Sequence, residues 1–299
     1  MPRILCVGKA ALDHIFTLEQ LPEGDAKYPA RAYQVVGGGI ASNAAVAIQR
    51  LGGQAALCAP LGDDITGDAI RAGLESEGVD TEALQQLPGF ASPVSAIMVD
   101  ATGQRCLVSH QDPALFAKAQ APHGIEAQAE ALLADTRWPN GALPLMAQMQ
   151  ARGKPVLLDF DQNAPADPTA FLSRSSHIIF ARAGLAEISG TSDPRAGLEQ
   201  IAAKYPARLA VTLGAEGLIW LDRRQQMQQR DAFCVTAVDT TAAGDTFHGA
   251  ALLALVEGAE FSEALAFAAA AAALKVSRSG GRSGIPHRNE VKQLLRSQA

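Results

Sequence analysis

A chain of 299 residues, 48% hydrophobic and 19% charged, is long enough to bury the core of one large α/β domain. Its net charge of −6, with no basic stripe, argues against nucleic acid or an anionic membrane as the main partner. The four cysteines, Cys6, Cys58, Cys106 and Cys234, stand apart without CxxC or zinc spacing, which fits a reducing cytoplasm.

Met1 to Phe16 lacks the apolar core of a signal peptide. Arg3 to Gly8 reads as a short buried strand, Ile-Leu-Cys-Val between polar ends. Asp13 follows Gly8 by five residues. In an open parallel sheet ligands bind beyond the strand C-termini, so Asp13 is placed to meet a substrate; a turn or edge residue is the plainer reading.

Leu21-Pro22-Glu23-Gly24 is a turn, and Tyr28 to Val36 is extended. Pro93 to Asp100 and Gln104 to His110 form a second extended pair around Ala101-Thr102-Gly103. Extended pieces ahead of the first good helix do not suit a continuous βαβ repeat. They suit a small sheet from two segments, about 14–36 and 93–110, lying as a lid beside the main sheet.

Gly37-Gly38-Gly39 opens a small-residue helix that Gly52-Gly53 ends. Glycines at a helix start let a ligand touch backbone, and Asn43 offers a donor and an acceptor one turn in. The run is neither GxGxxG with a ribose-binding acid nor GxxxxGK[ST]. Ile65 to Glu77 is amphipathic and helical. Ala127 to Leu133, Leu143 to Ala151 and Ser192 to Lys204 are expected as helices, and Lys154 to Phe160 and His177 to Phe180 as strands. This alternation supports a doubly wound sheet.

Asp159 and Asp161 flank Phe160 at a strand end; orienting water or Mg²⁺ is one reading, and that of ordinary polar strand-end residues is the favoured one. Arg208 to Leu213 is a strand, followed by a glycine turn and Leu218 to Leu221; an ordinary hairpin is one account of it. Gln225 to Gln229 is a polar run expected to be solvated. Phe261 to Val276 is an alanine-rich helix whose apolar part, Ala264 to Leu274, is too short to span a bilayer. Ser277 to Pro286 is a glycine-rich loop, and Arg288 to Arg296 a last helix. The six histidines form no metal spacing; His248 reads as a supporting or helix-surface residue.

The most informative stretch is Asp239-Thr240-Thr241-Ala242-Ala243-Gly244-Asp245-Thr246-Phe247-His248-Gly249, between a β-like run, Phe233 to Val238, and an apolar helix, Ala250 to Val256. A helix start leaves N–H groups unpartnered and favours negative charge. Ala242, Ala243 and Gly244 are small enough for a phosphate oxygen to approach those groups. Asp245 adds negative charge where an anion should bind. That makes sense if it takes a proton from an attacking hydroxyl while the N–H groups hold the phosphoryl group. A plain N-cap is the alternative.

The Gly38-Gly39…Asn43…Leu51-Gly52 run and the run from Asp239 resemble the two signatures of the ribokinase-like, or phosphofructokinase-B, sugar kinases, in the expected order and separation. The resemblance covers nearly the whole chain. It implies an α/β fold, a doubly wound mostly parallel sheet with a small β-sheet lid. It implies that Asp13, Gly38, Gly39 and Asn43 bind the sugar, that Asp245 is the base, and that Ala242, Ala243 and Gly244 form the anion hole. ATP with Mg²⁺ would be the donor. Thr212, Gly214, Gly217 and Gly280 would border the nucleotide. An Asn-x-x-Glu pattern common in the family is absent, with Ala181 and Gly184 at its positions, so Mg²⁺ would rest on the nucleotide phosphates and water; Arg182 offers a substitute phosphate contact. Ribokinases bind K⁺ near the Asp239/Thr241 region, but Gly284 stands where they have serine, which argues against that ion here.

Further similarity is to sulfofructose kinases, carried by Gly24-Asp25-Ala26-Lys27-Tyr28 with Arg31, by Ser95 to Asp100, by Leu133 to Trp138, and by Lys275 to Pro286. In that group a lid lysine and an arginine before a tryptophan bind the sulfonate; Lys27 and Arg137 match them. Two cations converging on a terminal anion suit a sulfonate or phosphate; an exposed turn lysine and a surface ion pair are the plainer readings of Lys27 and Arg137. Ser109 stands where the group has asparagine. The expected reaction is phosphoryl transfer from ATP to a primary hydroxyl of a ketose-like, anionic sugar, in a homodimer paired through the lid. A ribokinase or nucleoside kinase for a neutral substrate and a sugar sensor without catalysis are the rivals.

Overall fold

The chain begins with β1 (Arg3–Val7), whose apolar run is buried on both faces, as a central parallel strand requires. The computed structural model describes residues 1–297. After β1 the chain leaves the main sheet for a hairpin, β2 (Ala11–Thr17) and β3 (Ala32–Gly38). Helix α1 (Ile40–Arg50) then brings it back to β4 (Gln54–Cys58). A two-strand ribbon of β5 (Pro60–Gly62) and β6 (Gln85–Leu87) brackets α2 (Ile65–Ser76), which Asp64 caps by accepting from Gly67 N at 2.7 Å. A second hairpin follows, β7 (Val94–Val99) and β8 (Arg105–His110), with Asp100 accepting from the N–H groups of Thr102 and Gln104 at its turn.

From α3 (Pro113–Lys118) onward strands and helices alternate. They are β9 (Ala131–Ala134), α4 (Pro139–Ala151), β10 (Val156–Phe160), α5 (Thr169–Ser173), β11 (His177–Ala181), α6 (Arg182–Ser189), α7 (Pro194–Ala202) and β12 (Arg208–Thr212). Strands β13 (Leu218–Leu221) and β14 (Met227–Arg230) finish the sheet. Helices α8 (Ala243–Val256), α9 (Phe261–Val276) and α10 (Arg288–Ser297) close the chain.

The main sheet runs β14-β13-β12-β11-β10-β9-β1-β4 and is parallel except for β13 and β14. The period of two along β1 divides the core. Ile4 and Cys6 join α1, α8 and α9 on one face; Leu5 and Val7 join α4, α6 and α7 on the other. The sheet is therefore doubly wound, as expected from the alternation. The two early hairpins form one four-stranded sheet, β3-β2-β7-β8, with β2 and β7 parallel at its centre. Asp13, Ser95 and Ser109 lie in register on one face. Tyr33, Phe16 and Met98, with Val35 and Val108 one step along, share the other.

Three local expectations change. Ala127 to Leu133 is not a helix: a 3₁₀ turn over Ile125–Gln128 leads into β9, a central strand. Four apolar residues buried on both faces carry no periodicity, so a buried strand reads like a piece of buried helix. Gln225 to Gln229 falls largely in β14 rather than in a free polar run, because an edge strand needs only one paired side. Phe233 to Val238 forms no strand; it carries the chain from that edge to α8, with Phe233 set into the core beneath the Arg230 guanidinium.

Candidate active site

The parallel strands end on one edge, and the starts of α1 and α8 meet there. Their approach is set by Gly249, where a side chain would strike the carbonyl of Ala44 on α1. One turn before Gly249 stands Asp245, and beside Ala44 stands Asn43. Asn43 Nδ2 donates to Asp245 Oδ2 at 2.7 Å. The amide's orientation is fixed from behind, since Asn43 Oδ1 accepts from Arg282 Nε at 3.1 Å. Burial pushes the Asp245 carboxyl up to about 8, with the Asp159 carboxylate adding to it and Asn43 opposing.

The turn before α8 is held in an unusual conformation. Ala242 sits at φ +62°, the left-handed region that a non-glycine residue enters at a cost. Its carbonyl accepts from Thr246 N at 2.9 Å and Thr246 Oγ1 at 2.7 Å. Ala243 N–H turns back to the Thr240 carbonyl at 3.3 Å. Among the described residues no protein acceptor meets the N–H groups of Ala242, Gly244 and Asp245, and Gly244 is exposed. Free donors at a helix start beside a carboxylate can hold a transferring phosphoryl group while the carboxylate takes a proton.

Asp13, on β2, is buried on the inner face of the small sheet. Burial raises its pKa against the pull of Ser95, Lys9 and Arg282. The glycine cluster serves these side chains. A Cβ at Gly38 would overlap the Asp13 carboxylate, and one at Gly37 the Arg282 guanidinium. Gly39 has φ +96° and lies against the backbone of Lys9 and Ala10. The places of side chains at Gly37 and Gly38 are thus filled by Arg282 and Asp13.

A cationic corner adjoins Asp13. Lys9 Nζ donates to Ser109 Oγ at 2.8 Å, linking the end of β1 to β8. Burial and the nearby Arg137 guanidinium both lower the Lys9 pKa. The corner is braced by Asp135, fully buried at the end of β9, which accepts from Lys9 N (2.8 Å), Ala41 N (3.2 Å) and Arg137 N (2.8 Å). Arg137 also donates to the carbonyls of Gln162 (2.7 Å) and Asn163 (2.8 Å). Lys27 is exposed on the 18–31 loop and bonds to none of these groups.

Among the residues expected at the nucleotide, Thr212 Oγ1 donates to the Phe180 carbonyl at 3.3 Å. Gly214 has open space around it, whereas the Arg230 carbonyl occupies the place of a side chain at Gly217. Gly217 is therefore explained by packing against β14. Gly280, at φ +93°, starts the 3₁₀ turn Gly281–Gly284 beside Asp239. Arg182 pairs with Glu216 at 2.5 Å across the ends of β11 and β12.

Several functional groups escaped the sequence reading. Of the two readings of His248, the supporting one holds: it is buried, not on a helix surface. Its Nδ1 lies 2.7 Å from the Gly244 carbonyl and 2.9 Å from Asp159 Oδ2; its Nε2 lies 3.1 Å from the Ile179 carbonyl. Both ring nitrogens face only acceptors, so the ring is an imidazolium. Although burial disfavours that charge, Asp159 raises the His248 pKa. Asp159 is accordingly no plain strand-end residue. Lys9 and Arg282 gave no local signal; each is brought to the site by pairing far along the chain.

A doubly wound sheet with a side sheet, a carboxylate and free N–H groups at one helix start, describes a kinase of small molecules. The pfkB family carbohydrate kinase model matches residues 1–288. Ribokinases of Bacillus subtilis and Haemophilus influenzae are 30% and 29% identical. The first alignment covers 99% of this chain and 100% of the relative, the second 97% of each. A structure from Agrobacterium tumefaciens, assigned provisionally as a ribokinase, superposes with TM-score 0.95 at 36% identity, covering 99% and 98% of the two chains. An Arabidopsis thaliana ribokinase complexed with ribose and ATP gives TM-score 0.82 at 24% identity over 98% of each chain, a likeness of fold. The chain belongs to the pfkB family of carbohydrate kinases. It is a sugar kinase.

Proposed function

We propose that this kinase phosphorylates a primary hydroxyl of a ketose-like sugar that carries its own anion, sulfofructose or a sugar phosphate. The observation that carries the reading is the Lys9–Ser109 bond beside Arg137, a cationic corner across from Asp13. Asp13 and Asn43 orient the sugar hydroxyls, and the sugar meets the backbone at Gly38 and Gly39. Lys9, Arg137 and Ser109 receive the anion, and Lys27 swings in from its loop when the small sheet closes as a lid.

Asp245 in its ionised form accepts the hydroxyl proton as the new O–P bond forms. The N–H groups at the turn, from Ala242, Ala243 and Gly244, stabilise charge on the transferring group while the bond to the leaving ADP oxygen breaks. Ala243 contributes once its weak bond to Thr240 opens. Mg²⁺ brought by the nucleotide would supply charge neutralisation of its phosphates; Asp159 is paired with His248. Thr212, Gly214, Gly217 and Gly280 border the nucleotide. Four free cysteines fit a reducing cytoplasm, and no helix of the described residues is long and apolar enough to cross a membrane.

A neutral-sugar reading has one observation in its favour: the Arg137 guanidinium is already bonded to two carbonyls. A panel of sulfofructose, fructose 6-phosphate, ribose and nucleosides, with ADP formation as readout, separates the two. Preference for an anionic ketose supports the proposal; preference for ribose or a nucleoside overturns it.

A further inference from the structure

The ammonium of Lys275, at the end of α9, has none of its surface exposed. It donates to the Asp239 carbonyl (2.9 Å), Asp239 Oδ2 (2.9 Å) and the Arg278 carbonyl (3.4 Å). An ammonium has three donors, and each finds an oxygen. Two carbonyls and a carboxylate are also the hard-oxygen donors that an alkali cation selects.

Asp239 in turn fixes the phosphate turn. Its Oδ1 accepts from Thr241 N at 2.8 Å and its Oδ2 from Gly281 N at 2.8 Å. Thr241 directly precedes Ala242, the strained residue that starts α8. Although burial opposes its charge, the Gly281 N–H, Lys275 and the Thr241 N–H hold the Asp239 carboxyl below the usual range. Without a cation, an ionised carboxylate would stand half-buried beside the incoming phosphates.

We propose that Lys275 is a tethered cation occupying the coordination place of a monovalent ion, so that the phosphate turn is held and the enzyme turns over independently of K⁺. The role is one of positioning, since Lys275 reaches the turn through Asp239. The proposal rests on the reading that the 239–244 turn cradles the phosphoryl group. Its signal in the sequence was a single lysine closing an alanine-rich helix.

The test compares wild-type protein in K⁺, Na⁺ and N-methylglucammonium chlorides at matched ionic strength, reading ADP formation and melting temperature. Equal rates and an unchanged melting temperature are expected. Activation by K⁺, or a K⁺-specific rise in melting temperature, overturns the proposal. Lys275→Met should lower kcat about 10–100-fold, the usual weight of an outer positioning contact, and K⁺ or ammonium should restore part of the loss where N-methylglucammonium does not. Full activity of the variant without K⁺, or a folded variant that neither ion restores, overturns it. If Lys275→Met does not fold, the wild-type comparison decides. If wild-type protein forms no ADP with any sugar, the kinase reading fails, and the melting temperatures still decide whether the site takes K⁺.

Discussion

Asp245 and Asn43 are 202 positions apart in the chain and joined by a 2.7 Å hydrogen bond from the amide to the carboxylate. The bond exists because Gly249 lets α8 cross α1 against the Ala44 carbonyl. It places the carboxylate at the mouth of the turn, where the N–H groups of Ala242 and Gly244 meet no acceptor among the described residues, and ties it to Arg282 behind.

The raised pKa of Asp245 gives a pH dependence. Only the ionised carboxylate accepts a proton, so kcat/KM should climb with pH and level off above about pH 8. His248→Gln removes the imidazolium and leaves the Asp159 charge unscreened, so this limb should move to higher pH. A limb that stays in place or moves down would show that His248 does not act on Asp245 electrostatically.

Stability follows the same group with a defined sign. The folded pKa lies above the unfolded value of about 4, so the retained proton stabilises the fold at low pH, and this contribution is lost as pH rises from about 4 to about 8. Asp245→Asn, neutral throughout, should gain on wild type across that window. Parallel melting curves from pH 4 to pH 8 would contradict the shift.

Lys9→Met and Arg137→Ala should raise the KM of an anionic sugar about 10–100-fold, the ~1.5–3 kcal/mol of a hydrogen bond to a charged group. The KM of ATP should stay nearly unchanged. Lys27→Ala should act in the same direction but more weakly, since its side chain is exposed. Equal effects on both substrates would remove these cations from the sugar end.

Gly38→Ala should weaken sugar binding without unfolding the chain, because its methyl group displaces the Asp13 carboxylate rather than a backbone atom. Sugar affinity equal to wild type would mean that Asp13 does not hold the sugar.

The outer face of the small sheet exposes Tyr33 (54%), Val35 (46%) and Val108 (61%) in neighbouring rows. An apolar face of this kind suits a second copy of the chain. Light scattering should give a dimer for wild type and a monomer for Val108→Asp. A monomeric wild type would remove the pairing.

The sequence carried the fold where periodicity and punctuation were strong. Gly37-Gly38-Gly39 opening α1, the alternation through β12, and the extended pairs of the small sheet were all legible. The β9 strand was not, since Ala-Leu-Leu-Ala has no period to read. At the site, Asn43 and Asp245 stood inside recognisable runs, and Asp13 stood just past the end of the first strand. Lys9 and Asp159 stood in no such run, and the roles of His248 and Lys275 inside theirs were not legible, because their partners lie on other strands or loops. The glycines were legible as necessary, but not the packing that also requires them: Gly37 and Gly38 make room for Arg282 and Asp13, and Gly217 for the Arg230 carbonyl.

The central claim is that Asp245 takes the proton from the sugar hydroxyl. The most direct measurement is kcat for ADP formation by Asp245→Asn, with the preferred sugar and Mg²⁺-ATP saturating. Loss of an acid/base group predicts a fall of about 10²–10⁴-fold with the fold intact, whereas turnover within about tenfold of wild type would contradict the claim.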